Sequence, residues 1–346
     1  MLLDRLFKKR YPSLDWIQVD ISSMCESKCI YCPHTEYSNN WQNRLLPMEI
    51  YEKVIPAFKR TKLVFLQGWG EPFTHPQFID FLRLAKNAGC MTGTTTNGTM
   101  LNSEMIRKLI DEGLDIICFS LAGIDDKNDT VRRGTRIKKV LDCIGEIHSI
   151  KTSRSANNPK IHIAYMLLKS GLEDLEKLPA FSENMGISQT VVSSLSLLVN
   201  PAMEKEALTV FEGEESSDLI SRLQEVKKVA EKKDTGLFFN ILSPFMKESL
   251  CGENTEKALV IGSDGSVSPC VMGCVPVKGD NFHYFGGKKQ RLEKISFGNI
   301  ADIPLNMVWS RKEYKSFRGN LDRAIEDYPC KNCMKRFPLD LNTQIT

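Results

Sequence analysis

From residue 16 to about 234 the chain alternates short apolar or β-branched runs with longer stretches in which apolar residues recur at helical spacing. Residues 16–22 read as a strand, followed by a cysteine-bearing loop and a helix over roughly 48–59. Residues 62–67 form a second apolar strand and 76–88 a helix that stops at Gly89. Residues 90–96 are β-branched and strand-like, with a turn at Asn97-Gly98. A helix over about 103–112 ends at Gly113, where a glycine can take the left-handed conformation that closes helices. Residues 114–121 read as a buried strand. In the next helix, about 136–150, Ile137, Val140, Leu141, Ile144 and Ile147 share one face. Residues 161–168, a helix near 172–185 and residues 189–197 continue the alternation. A polar helix over about 214–233 closes it.

Six β–α units imply a parallel sheet with right-handed crossover helices. A closed eight-fold barrel needs two more units. The expected fold is therefore α/β: a partial (β/α)6 TIM-like barrel whose ligands sit at the carboxyl ends of the strands. After residue 240 the texture changes. Residues 258–261 and 266–271 flank Asp264-Gly265, a hairpin signal, and 279–294 reads as a Gly- and charge-rich surface loop. A short amphipathic helix over about 305–317 precedes Cys330-Lys-Asn-Cys333. The expected organisation is an N-terminal segment (1–15), a barrel (16–240) and a small α+β domain (241–346).

Composition narrows the function classes. The formal net charge of +3 is too small to argue for nucleic acid or an anionic membrane as partner. No apolar run approaches the ~18–20 residues that cross a bilayer, and residues 1–10 lack the apolar core of a secretory signal. A cytoplasmic protein is expected. Eleven cysteines in a reducing compartment favour metal or redox chemistry over disulfides. Cys90, Cys118 and Cys143 fall in apolar stretches and read as small core hydrophobes. The rest cluster.

Cys25-Glu-Ser-Lys-Cys29-Ile-Tyr-Cys32 follows the first strand. Iron–sulfur clusters usually take four cysteines, so a three-cysteine loop leaves one iron of a cubane open to a small molecule, by the logic of an open catalytic zinc site. Zinc itself favours paired Cys-x2-Cys units and matches this spacing poorly. The loop, with Tyr31 before its last cysteine, resembles the CxxxCxxC signature of the radical S-adenosylmethionine (SAM) superfamily. Gly68-Trp69-Gly70-Glu71-Pro72 is similar to that family's GGEP motif, with Trp69 where glycine is commonest. Thr95-Thr96-Asn97-Gly98 resembles its TNG segment, Ser120-Leu121-Ala122-Gly123 its SLDG segment, and Asn128-Asp129-Thr130-Val131-Arg132 its HDxxR segment.

The resemblance implies a [4Fe–4S] cluster on Cys25, Cys29 and Cys32 that binds SAM and, once reduced, cleaves it to a 5′-deoxyadenosyl radical that abstracts hydrogen from substrate. It further implies cofactor contacts from Tyr31, Gly70, Glu71, Ser120 and Arg132. Arginine suits a carboxylate because its guanidinium pairs with one in two-pronged geometry. A low-potential donor such as flavodoxin or ferredoxin would supply the electron. No residue is singled out as catalytic toward substrate.

Cys251, Cys270, Cys330 and Cys333, with Gly265 ahead of Cys270, resemble the SPASM/twitch extension, which implies an auxiliary [4Fe–4S] cluster; a structural zinc site is the plain alternative. With no cysteine after Cys333, the one-cluster twitch form is expected. Cys274 is left over: a substitute ligand, a redox or acid residue, or a bystander. Enzymes of this type divide into peptide or protein modifiers, cofactor-assembly enzymes and alcohol oxidases. The motif set is similar to a subgroup associated with maturation of tungsten-containing oxidoreductases. Maturation or modification of a peptide, protein or metal cofactor is the expected function, with a small-molecule alcohol dehydrogenase as rival. A non-enzymatic iron–sulfur electron carrier would not need the segments at Glu71, Ser120 and Arg132.

Overall fold

The computed structural model describes residues 11–208, 214–233, 235–243, 251–319, 330–339 and 341. The first ten residues of the expected N-terminal segment lie outside the described residues. Nine strands form one sheet: β1 (Leu14–Val19), β2 (Thr61–Leu66), β3 (Met91–Thr96), β4 (Ile116–Leu121), β5 (Lys160–Met166), β6 (Gln189–Ser193), β7 (Gly236–Asn240), β8 (Ala258–Ile261) and β9 (Val267–Ser268). Strands β1 to β7 lie side by side in chain order, each parallel to the next. The sheet is open, because β1 and β7 do not pair. The free edge of β1 is taken instead by β8 in parallel, with β9 antiparallel beyond it.

The six expected strands are all present, with crossover helices between them. The helix Ile137–Ser153 buries Ile137, Val140, Ile144 and Ile147 of the expected face, with Leu141 half-buried and Cys143 added to it. The polar helix Glu214–Lys232 follows β6. One expected helix, 48–59, is instead two short pieces, Met48–Glu52 and Ile55–Phe58, the second carrying Pro56 in its first turn. Proline has no N–H to continue the first helix's ladder. Cys90, Cys118 and Cys143 are buried in the apolar interior.

Further features differ from the sequence reading: the expected helix 172–185 is a 3-10 segment, Lys169–Lys177, followed by the short helix Leu178–Asn184, and 305–317 is two helices, Leu305–Ser310 and Lys312–Gly319. Strand β7 is a seventh parallel strand. It is an edge strand in which only Leu237 is buried and Phe238 stands 54% exposed, so it lacks the alternation that marks a strand. The supposed surface loop 279–294 contains a hairpin, β10 (Phe282–Phe285) with β11 (Lys288–Arg291). Its two-residue turn is Gly286-Gly287 with φ of 56° and 74°, the paired left-handed geometry of a type I′ turn that glycines supply. Finally, β8 and β9 lie beyond residue 240 in the chain yet hydrogen-bond into the barrel sheet through β1.

Candidate functional site

The cysteine loop leaves the carboxyl end of β1 and is pinned from the side. Lys28–Cys29 pair antiparallel with Arg132–Arg133, Lys28 opposite Arg133 and Cys29 opposite Arg132. Ile30 N–H donates to Val131 O (3.0 Å), and Cys32 N–H folds back on Cys29 O (3.1 Å). Cys29 is buried; Cys25 and Cys32 are half-buried. Burial pushes the Cys25 and Cys32 thiols up to about 12. Both are therefore protonated at neutral pH until a metal displaces the proton. Among the described residues no three His, Cys, Asp or Glu side chains converge on a single-ion geometry. A cubane asks instead for thiolates spread around it, one per iron.

The loop after β2 closes on this one. A Cβ on Gly70 would lie 2.3 Å from Ser22 O and 2.5 Å from Met24 O, so only glycine allows the approach. Glu71 N–H then donates to Met24 O (2.7 Å). The Glu71 side chain is buried, and its oxygens are already engaged: Oε1 accepts from the Thr96 hydroxyl (2.7 Å) and Oε2 from Asn97 N–H (2.8 Å). Burial lifts this carboxyl to about 7. Glu71 thus fixes the turn after β3. From that turn Asn97 Nδ2 reaches back to Glu26 Oε1 (3.0 Å) and Ser27 Oγ (2.9 Å), with Cys25 Sγ at 3.9 Å. The sequence reading assigned Asn97 no role; its place inside the Thr-Asn-Gly segment was the available signal.

Ser120 sits half-buried near the end of β4. The turn behind it is tight: Asn128 Oδ1 accepts from Ala122 N–H (3.0 Å), and a Cβ on Gly123 would meet Asn128 N at 2.6 Å. Arg132 is buried, donates from Nη1 to the Tyr31 hydroxyl, and has no partner for Nε. Burial works against its charge, but the Tyr31 hydroxyl and the Cys29 and Cys32 sulfurs beside it more than offset burial and place it above the ordinary arginine range. A buried cation with an unpaired donor beside a cysteine loop suits an anionic group, whether an electron-rich cluster or a carboxylate chelated to it. The donor set therefore fits the iron–sulfur and SAM pair.

The second cysteine group also assembles. Gly252 N–H donates to Lys335 O (3.0 Å), drawing Cys251 to the Cys330–Cys333 turn, which is closed by Cys333 N–H on Cys330 O (3.0 Å). Cys333 influences the charge of Cys251, Cys270 and Cys330 alike. Cys270, Cys330 and Cys333 border a cavity of about 60 Å³ together with Met272 and His283. Cys274 is buried close to Asp20, Cys270 and Asp264.

Asp20, at the end of β1, is fully buried, and neither carboxylate oxygen has a hydrogen-bond partner. Burial lifts it to about 7, with the Trp69 backbone and Ser263 as its nearest polar company and Asp264 adding repulsion. Sequence reasoning missed it. A Cβ on Gly68 would overlap the Asp20 carboxyl carbon at 2.0 Å, which explains that glycine. Trp69, the departure from the GGEP pattern, donates from Nε1 to Val271 O (2.9 Å), one residue after Cys270. It ties the loop at the barrel mouth to the second cysteine group. A separate apolar cluster includes Trp41, Leu197, Val275 and Val277, and both Tyr31 of the first cysteine loop and Met272 beside Cys270 pack against it, as does Trp69.

Two family models match the chain: the radical SAM superfamily over residues 19–180, and the SPASM iron–sulfur cluster-binding domain over residues 251–334. Among similar proteins, the tungsten-containing aldehyde ferredoxin oxidoreductase cofactor-modifying protein of Pyrococcus furiosus is 26% identical over 94% of this chain and 89% of its own length. The Fe-coproporphyrin III synthase of Methanosarcina barkeri is 24% identical over 88% of this chain and 74% of its own. Among solved structures, Streptococcus suis SuiB bound to S-adenosylmethionine superposes with a TM-score of 0.65, covering 96% of this chain and 75% of SuiB at 17% identity. No described helix is long and apolar enough to cross a membrane.

Proposed function

The chain belongs to the radical SAM superfamily and carries a SPASM-type iron–sulfur domain, and on that premise we propose that it is a maturase that modifies the metal cofactor of a partner oxidoreductase. The observation that carries this reading is the match to a cofactor-modifying protein over nearly the full length of both chains. When bound, the reduced [4Fe–4S] cluster and SAM supply the 5′-deoxyadenosyl radical that takes a hydrogen from substrate.

The residues divide the remaining work. Cys25, Cys29 and Cys32 hold the SAM-binding cluster, and Cys251, Cys270, Cys330 and Cys333 the auxiliary one. Arg132, held by the Tyr31 hydroxyl and with Nε–H unpaired, would pair with the carboxylate of SAM or the charge of the cluster. Gly70 and Ser120 border the SAM site. Glu71 acts one step behind, holding Asn97 against the cysteine loop. The apolar cluster that touches both cysteine segments would keep water from the reacting groups. A low-potential carrier of the flavodoxin or ferredoxin class would serve as the electron donor.

The test is anaerobic reconstitution, reduction and addition of SAM, with 5′-deoxyadenosine measured with and without a tungsten-containing oxidoreductase and its deuterated cofactor. Deuterium in 5′-deoxyadenosine supports the reading. Deuterium transfer from free alcohols alone would replace it with the dehydrogenase reading.

A further inference from the structure

Beside the cysteine loop lies a groove of about 380 Å³ lined by Thr99, Gly134, Arg136, Lys138, Lys139 and Asp142. Its floor backs onto that loop: a Cβ on Gly134 would stand 3.3 Å from Ser27 Cα and 3.5 Å from Glu26 O. The main chain between Cys25 and Cys29 is thus all that underlies the groove at this point. In the adjoining ladder the pairing alternates, with Cys29 and Arg132 buried and Lys28 and Arg133 exposed. Cations therefore crowd the outer side of the segment that carries the thiols on its inner side.

We propose that Lys28, Arg133, Arg136, Lys138 and Lys139 form the docking surface for an acidic, low-potential electron-carrier protein, a proposal that rests on the reading of Cys25, Cys29 and Cys32 as ligands of a reducible cluster. None of these five cations is engaged in an ion pair among the described residues, whereas Lys127, on the preceding helix, is paired with Glu173. Of the acidic groups, Glu26 is occupied by Asn97 and Thr99, and Asp142 stands at the rim. The whole chain balances 46 basic against 43 acidic residues, so this concentration is local. Helix stability does not explain it: Arg136, Lys138 and Lys139 stand at the amino end of Ile137–Ser153, where a helix dipole disfavours positive charge, and the acid that reaches this end, Asp129, is engaged with Ile137 N–H (2.7 Å) and forms no ion pair with them. Long cations spread over a ladder and a helix, four of them exposed and Lys139 half-buried, make a broad positive field that steers an acidic protein and orients it. The step moves one electron from carrier to cluster and transfers no atoms.

The test uses the reconstituted holoenzyme, an acidic flavodoxin as probe, and two variants, Arg136→Glu/Lys138→Glu/Lys139→Glu and the neutral Arg136→Gln/Lys138→Gln/Lys139→Gln. Calorimetric binding is measured at about 50 and about 300 mM salt. The expected result is affinity weakened about tenfold or more by charge reversal, less by neutralisation, with the salt dependence flattened in both. Flavodoxin-driven 5′-deoxyadenosine formation needs correspondingly more donor, while dithionite-driven formation is unchanged. Flavodoxin binding equal to wild type in the reversed variant overturns the proposal, as does loss confined to inorganic phosphate binding, or equal loss of flavodoxin- and dithionite-driven turnover at full iron content. Failure of the parent reading is distinct: the wild-type enzyme would then make no 5′-deoxyadenosine even with dithionite.

Discussion

Asp20→Asn is the substitution whose consequence follows most closely from the structure. The wild-type carboxyl is fully buried without a hydrogen-bond partner, and burial raises it from 3.8 to about 7. The folded state therefore holds this proton more tightly than the unfolded chain. The sign follows: stability is highest with the proton on, and it is lost as pH climbs from the unfolded value through about 7, with no further loss above. Carrying the charge at about pH 8 costs the fold about 4 kcal/mol, of which about 3 kcal/mol accrues between about pH 5 and about pH 8. Unfolding a chain of this length has an entropy of about 0.7 kcal/mol per degree, so that difference corresponds to about 4 °C in Tm. Asparagine does not titrate. Any packing cost of its amide is equal at both pH values, and the Glu71 contribution is common to both proteins, so the difference of differences isolates Asp20. Thermal unfolding of iron-free wild type and variant, followed by circular dichroism at the two pH values, is the assay. The variant should gain about 4 °C relative to wild type on going from the acid to the alkaline condition. Parallel shifts in the two proteins would mean that Asp20 is paired or solvated, and the reasoning would fail.

Other substitutions probe the site directly. Gly70→Ala drives a methyl against two backbone carbonyls, so reconstituted variant should retain little SAM-dependent turnover and should lose iron from the SAM-binding cluster first, by iron assay and 5′-deoxyadenosine yield. Trp69→Phe removes the bond to Val271 O; about 1 kcal/mol of stability should go, and the auxiliary-cluster EPR spectrum should broaden while the SAM-binding cluster's does not. Cys333→Ala should lower iron content by about four atoms per chain, whereas loss of zinc would assign that site to a structural metal.

Most of the framework was legible because its signals are local. The six expected strands carry β-branched or apolar runs, and the two cysteine groups are close-spaced or flanked by turn residues. What escaped depends on contacts between distant segments. Strand β7 has one buried residue and gains its identity from pairing with β6. Gly286-Gly287 read as loop because a composition rich in glycine and charge does not reveal two successive positive φ angles. Glu71 lies in a recognisable motif, yet its engagement with Thr96 and Asn97 becomes visible only when the ends of β2 and β3 are adjacent. Trp69 looked like a deviation until its indole N–H was found on the carbonyl beside Cys270. Asp20 had no motif at all; its significance is the absence of a partner, which is a property of the packed chain.

Radical SAM chemistry in this chain requires a reducible cluster at Cys25, Cys29 and Cys32 with one iron left open to SAM. Electron paramagnetic resonance of the reduced Cys333→Ala enzyme, in which the auxiliary cluster is disabled, addresses it most directly. Addition of SAM should change the g-values and line shape of the remaining signal, and Cys29→Ala in the same background should erase it. A reduced signal indifferent to SAM, or one that survives loss of Cys29, would contradict the assignment.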